Sequence, residues 1–170
     1  MRQKCGLAVL VVVLLAATLA ATLAAAHGGR SARAAPALGD PAAFIVRTTH
    51  EKLEGRYANA WASLYPSHKL IAPRDLYVRC EARMPFPGKI VSIRALSKWR
   101  EPVSIAGLAR KIPGEAVRIR AIVRTPMLTA PITVTHTFHA VPVEGHWTWI
   151  LSPSRFRLYS GGGCPSIYSA

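Results

Sequence analysis

Apolar positions along the chain fall into three successive rhythms. From Leu7 to Ala26 they are nearly continuous, with only Thr18 and Thr22 as polar breaks. From Asp40 to Pro87 they recur at helical spacing. After Gly88 they alternate with polar residues, the two-residue period of half-buried strands.

In the helical part, Asp40-Pro41 opens a helix with Asp as N-cap and Pro at the first helical position. Val46, Thr49 and Leu53 share one of its faces, and Gly55 interrupts it. Tyr57, Ala60, Trp61 and Leu64 follow at i, i+3, i+4 and i+7, and Pro66 ends this second helix. Pro73 and Asp75 start a third, with Leu76, Tyr77 and Cys80 on one side. In Lys89 to Arg100, Val91, Ile93, Ala95 and Trp99 are expected on one face, against Ser92, Arg94, Lys98 and Arg100. Val103 to Leu108 reads as a weaker edge segment, and Pro113-Gly114 as a turn. Ala116 to Arg124 sets Val117, Ile119, Ala121 and Val123 against Arg118, Arg120 and Arg124. Ile132 to Val141 sets Ile132, Val134, His136 and Phe138 against threonines and His139. Glu144-Gly145 turns into a last strand at His146 to Leu151, and residues 152–170 read as a tail. The expected fold is therefore α+β: N-terminal helices packed on a curved antiparallel sheet of four to five strands.

The apolar run changes where this domain is expected to work. Basic residues precede it, and small residues follow at Ala24-Ala25-Ala26 and at Ala32-Arg33-Ala34. Residues 1–34 thus read as an export signal, or as an N-terminal membrane anchor if they stay attached. Residues 35–39 form a linker, 40–164 the domain and 165–170 a tail. Either reading places the domain outside the cytoplasm, secreted or in the cell envelope. Cys5 precedes the apolar core, so Cys80 and Cys164 remain. In an exported chain they suggest one disulfide, worth on the order of 3–4 kcal/mol, the alternative being a buried Cys80 and a free Cys164.

Charge adds a second constraint. Beyond the apolar run, twenty Lys and Arg face eight Asp and Glu, a balance of +12. Such an excess favours anionic partners: wall polymers, lipid head groups or nucleic acid. Nucleic acid is disfavoured by export, and by the lack of aromatics among the arginines for base stacking. No hydrolase elbow, Walker loop or dinucleotide fingerprint occurs, and neither metal-ligand spacing nor a cofactor site is read from the chain.

The stretch Gly55-Arg56-Tyr57-Ala58-Asn59-Ala60-Trp61-Ala62-Ser63-Leu64-Tyr65-Pro66 carries a family resemblance, continued by Ser67-His68, Tyr77 to Glu81 and Gly145 to Leu151. It resembles exported bacterial members of the nuclear transport factor 2-like (cystatin-like) superfamily over residues 40–164. The resemblance implies a conical pocket between curved sheet and helices, which some members use for isomerase or dehydratase chemistry and many only for binding. Arg56 departs from it, standing where such domains often have an Asp that caps the second helix. The first two helices are therefore expected to run on as one kinked helix.

Candidate residues follow from both readings. His136 is the single ionisable group on an apolar strand face, able to shuttle a proton or orient a ligand. Tyr57 and Tyr77 are its expected partners by fold analogy, and Trp61 and Trp149 would wall the pocket. Arg94, Lys98, Arg100, Arg118, Arg120 and Arg124 would form an anion-binding face. A catalytic carboxylate is not found on the apolar strand faces. The leading expectation is a non-enzymatic domain binding a small apolar ligand or a protein partner. The alternatives are an isomerase-like enzyme using His136, and a basic adhesion module for anionic polymers or lipids. The oligomeric state stays open.

Overall fold

A computed structural model describes residues 38–164; the leader, most of the linker and the tail after Cys164 lie outside the described residues. The architecture is α+β. Helices α1 (Pro41–Leu53), α2 (Tyr57–Ala62), α3 (Pro66–Ile71) and α4 (Arg74–Ala82) precede a four-stranded antiparallel sheet. Its strands β1 (Lys89–Val103), β2 (Ile112–Arg124), β3 (Ile132–Val143) and β4 (His146–Trp149) lie in the order β1-β2-β3-β4, and helix α5 (Pro153–Ser160) follows.

Local chemistry explains most boundaries. The Asp40 carboxylate accepts from the Ala42 and Ala43 amides, leaving Pro41 to start α1. Gly55, at φ 77°, breaks the chain before α2. Arg56 makes no side-chain cap, as expected, yet α1 and α2 stay separate rather than fusing. The second helix ends at Ala62 rather than at Pro66; Leu64, expected on its stripe, bridges to Trp149 instead, and Pro66 is the first residue of α3. The same capping pattern recurs at Ser152-Pro153. There the Ser152 hydroxyl accepts from the Arg155 amide and starts α5, in what reads from sequence as a tail. Glu144 and Gly145 both have positive φ, as a two-residue hairpin turn requires. Residues 104–111, not Pro113-Gly114, make the β1–β2 connection, and Pro113 and Gly114 lie inside β2.

Two irregularities in β1 reassign its faces. Register shifts between Ile90 and Ser92, and between Ala95 and Ser97, each insert a residue. Ile93 and Ala95 still pair with the core-facing Ala121 and Ile119. Beyond the second shift, Lys98 pairs with Val117 and Arg100 with Glu115, while Trp99 pairs with Ala116. So Lys98 and Arg100 lie on the helix side, and Trp99 turns outward. On α1 the buried positions are Pro41, Phe44, Ile45 and Thr48, a stripe rotated from the expected Val46, Thr49 and Leu53.

The core joins Phe44, Ile45, Tyr57, Leu64, Tyr77, Val117, Ile119, Trp149 and Leu151. A smaller cluster of Val103, Ile105 and Val141 forms on the outer face. The strands outreach their cover. Thirteen residues of β2 extend roughly 45 Å, whereas thirteen residues of α1 extend roughly 20 Å. Burial along β3 follows: Ala140 and Val141 are fully buried, but Ile132, Val134 and His136 are exposed.

Candidate binding cavity

The site is built around Trp149, the last residue of β4. Its indole N–H donates to the Ala60 carbonyl at 2.7 Å. Its backbone amide donates to Ser63 and its carbonyl accepts from Tyr65, at 3.0 and 2.9 Å. Three hydrogen bonds to the α2–α3 segment thus fix the ring. Lys52, in the last turn of α1, lays its ammonium 4.5 Å from the centre of that ring. Burial pushes the Lys52 ammonium down to about 8; the positive charge of Arg155 pushes the same way and Glu81 opposes. Among the described residues Lys52 makes no ion pair.

Beyond Trp149, Ser152 caps α5 and aims Arg155 and Tyr159 at Glu81 of α4. One Glu81 oxygen, Oε1, accepts from the Arg155 guanidinium and from the Tyr159 hydroxyl, the latter at 2.9 Å. Glu81 is buried. Burial works against charge on Arg155, but the charge and hydrogen bond of Glu81 outweigh it and hold the guanidinium above its usual value. Burial, then the Glu81 charge, pushes the Tyr159 and Tyr77 phenols upward. The Tyr77 hydroxyl is buried without a hydrogen-bond partner. The Cys80–Cys164 disulfide closes the same region, joining α4 to the segment after α5.

These elements leave a cavity of about 590 Å³ along the outer edge of β3. That edge is open because β4 pairs only with residues 140–143. Val103, Phe138, Trp149 and Leu151 give it apolar walls, and Lys52 and Arg155 converge from α1 and α5. Hollows of about 560 and 750 Å³ elsewhere on the domain are more open and lack this convergence.

His136 lines the cavity, but as an exposed side chain whose ring sits edge-on to Phe138, 4.6 Å between centroids. Trp149 lines it too. Tyr57 and Tyr77 belong to the core, and no hydrogen bond joins either to His136. Trp61 stands apart, its indole donating to the Ala72 carbonyl at 2.8 Å under the Lys69 ammonium. Of the six residues expected on the anion face, Arg94, Arg118, Arg120 and Arg124 share the outer face. Lys98 instead binds Asp40, and Arg100 binds Glu115, on the helix side.

Sequence reasoning passes over three features here. Glu81 is a buried carboxylate on a helix, one position past Cys80 and four past Tyr77; its place on their buried stripe was the available signal. The histidine that has a carboxylate is His139, whose Nε2 lies 2.6 Å from Glu101, with the Trp99 indole donating to the other oxygen at 2.8 Å. Those hydrogen bonds, from Trp99 first and then His139, hold the Glu101 carboxyl below its usual range. His68 is fully buried: its Nδ1 accepts from the Leu151 amide at 3.0 Å, so its Nε2 donates to the Ala106 carbonyl at 3.1 Å.

The bridge between Cys80 and Cys164 points to an oxidising, extracytoplasmic location. No family model matches the chain, and no curated protein matches it.

Proposed function

We propose that this domain is a binding module for a small, largely apolar molecule carrying one acidic group, held in the cavity beside β3. The observation that supports this most is Lys52: a half-buried ammonium without an ion-pair partner, stacked on an aromatic wall and facing an apolar hollow. The volume falls in the usual range for small-ligand sites, and apolar walls from Val103, Phe138, Trp149 and Leu151 stand beside cationic and hydroxyl groups that can orient an acid. Arg155 is already engaged by Glu81; of the two lysines that line the cavity, Lys52 and Lys111, Lys52 is the one stacked on the Trp149 wall, and it is assigned to the acid. The resemblance to nuclear transport factor 2-like cones, with a pocket between sheet and helices, favours the same reading. Binding is preferred to turnover because His136 has no acid or tyrosine partner among the described residues, Glu81 is taken up by Arg155 and Tyr159, and the His139 that also lines the cavity has its Nε2 held by Glu101. With the leader read as an export signal or anchor, the module works in the cell envelope.

Calorimetric titration with 2-naphthoate, 2-naphthylmethanol and 2-naphthylmethylamine tests it. The carboxylate is expected to bind at least tenfold more tightly than the other two, by about the strength of one charge-assisted contact. Lys52→Met should remove that preference and leave the alcohol unaffected. Lys52 is charged below about pH 8, so carboxylate affinity should fall as pH rises through that value. Equal binding of all three ligands, or a preference that survives Lys52→Met, would overturn the proposal.

A further inference from the structure

The far end of the sheet carries an arrangement that the cavity does not explain. The β2–β3 connection exposes Met127 and Leu128 at its tip, Met127 by 80%. Val91, Ile132 and Val134 are exposed at the same end. Just behind the tip, Lys89 pairs across the strands with Arg124; one step further in, Arg94 stands directly opposite Arg120, with Arg118 beyond. None of these five cations makes an ion pair among the described residues. Residues 82–100 and 116–143 contain no Asp or Glu at all. Thr133, Thr135 and Thr137 lie beside the arginines in register with Ile122, Arg120 and Arg118, adding hydroxyls. The Arg120 Nε is buried without a hydrogen-bond partner.

Like charges placed opposite each other on a sheet are unfavourable, and large apolar side chains at a loop tip gain nothing from water. One surface satisfies both. We propose that this end of the domain docks on an anionic phospholipid membrane, with Met127 and Leu128 entering the interface and Lys89, Arg94, Arg120 and Arg124 meeting lipid phosphates. The spacing suits it. Met127 lies three positions of loop beyond Arg124, the end of β2, a reach of at most about 10 Å, comparable to the depth of the headgroup region. A soluble polyanion would match the arginines but offers no apolar medium for the tip. A second copy of the chain would cover the apolar residues but would bring two acid-free cationic faces together.

The full chain should be sedimented with vesicles of phosphatidylcholine alone and with 30% phosphatidylglycerol. The leader is common to all variants, so differences between variants isolate this surface. Binding should be tighter with phosphatidylglycerol than with phosphatidylcholine alone, and that difference should shrink as salt is raised. Each cation near an anionic surface contributes about a factor of five, so Arg94→Gln with Arg120→Gln should weaken binding about 25-fold. Met127→Ser with Leu128→Ser should weaken it at least tenfold while leaving the salt dependence intact. Equal binding to both vesicle types, or variants that bind like the parent, would overturn the proposal. So would a tip variant that loses self-association on gel filtration but keeps its vesicle binding, since the apolar tip would then belong to a second copy. Calorimetry with 2-naphthoate, read on the same variants, should be unchanged, which separates this surface from the cavity.

Discussion

Where the helices cover the sheet, most charged groups have counterparts, the Lys52 ammonium over Trp149 being the exception. Glu81 takes Arg155 and Tyr159, Lys98 takes Asp40, and Arg100 takes Glu115. At the β2–β3 end of the same sheet, Arg94, Arg118, Arg120 and Arg124 have no ion-pair partner among the described residues, and apolar side chains stand in water. The difference follows the helical cover. Under it, an unpaired charge would have to be taken out of water at a cost of several kcal/mol. Beyond it, solvent screens the arginines, so the sequence is free to leave them for a partner. One end is organised around internal satisfaction, the other around an outside surface.

Removing the disulfide should produce the largest change at the covered end. Cys80 and Cys164 are 84 positions apart, and closing a loop of that length is worth about 4.5 kcal/mol in the chain-entropy model. A Cys80→Ala, Cys164→Ala double variant should lose that much in urea denaturation and should exchange the α5 amides faster. If stability moved by under about 1 kcal/mol, α5 would owe its place to packing alone, and the crosslink would add little to the covered end.

Glu81→Ala should come next. It leaves Arg155 without its carboxylate and Tyr159 without its acceptor in a buried setting, which typically costs about 3–4 kcal/mol. The contrasting variant is Arg118→Ala at the outer face, expected to shift the urea midpoint by almost nothing. Equal losses for the two would erase the distinction between the ends.

His68 gives the covered end a pH signature. Burial lowers its pKa from the ordinary 6.5, with the hydrogen bond to Ala106 opposing. The unfolded chain therefore takes up this proton at a higher pH than the folded one. The contribution is fully present above about pH 6.5 and is lost as pH falls through the lower, folded value, with a slope of at most about 1.4 kcal/mol per pH unit. Denaturation measured from pH 7.5 to 4.5 should show that slope in the parent and a flatter one in His68→Gln. Identical slopes would mean that His68 is not held neutral between Leu151 and Ala106.

How much of this could be read beforehand depends on how local each signal is. The α+β order and the Glu144-Gly145 turn depend on neighbouring residues, and the sequence states them directly. The same is true of Ser152-Pro153, which repeats the Asp40-Pro41 start; only the Ser/Gly-rich surroundings disguised α5 as a tail. The faces of β1 were not legible past Ala95, because a register shift leaves alternation intact and moves its phase. That one shift sends Lys98 and Arg100 to the helix side and Trp99 outward. The bareness of His136 could not be seen either. It sits in good apolar alternation, and its exposure comes from α1 being too short to reach it. The cavity is assembled from α1, β3, β4 and α5, so no single stretch announces it. Lys52 reads as an ordinary solvent-facing helix residue until Trp149 is placed beneath it.

The smallest effect probes the β2–β3 end most directly. Arg94 and Arg120 occupy directly opposed positions on β1 and β2 without an intervening acid. Replacing Arg94 by Thr, a good strand former, should therefore stabilise the isolated domain by about 0.5 kcal/mol at low salt. At 1 M salt, where the screening length is about 3 Å, most of the gain should vanish. A stabilising loss of charge would identify the arginine pair as held against the interest of the fold, which is what a surface kept for an anionic partner requires. A destabilising result would place Arg94 among the structural residues instead, and the two ends of the sheet would then differ only in how much of each the helices cover.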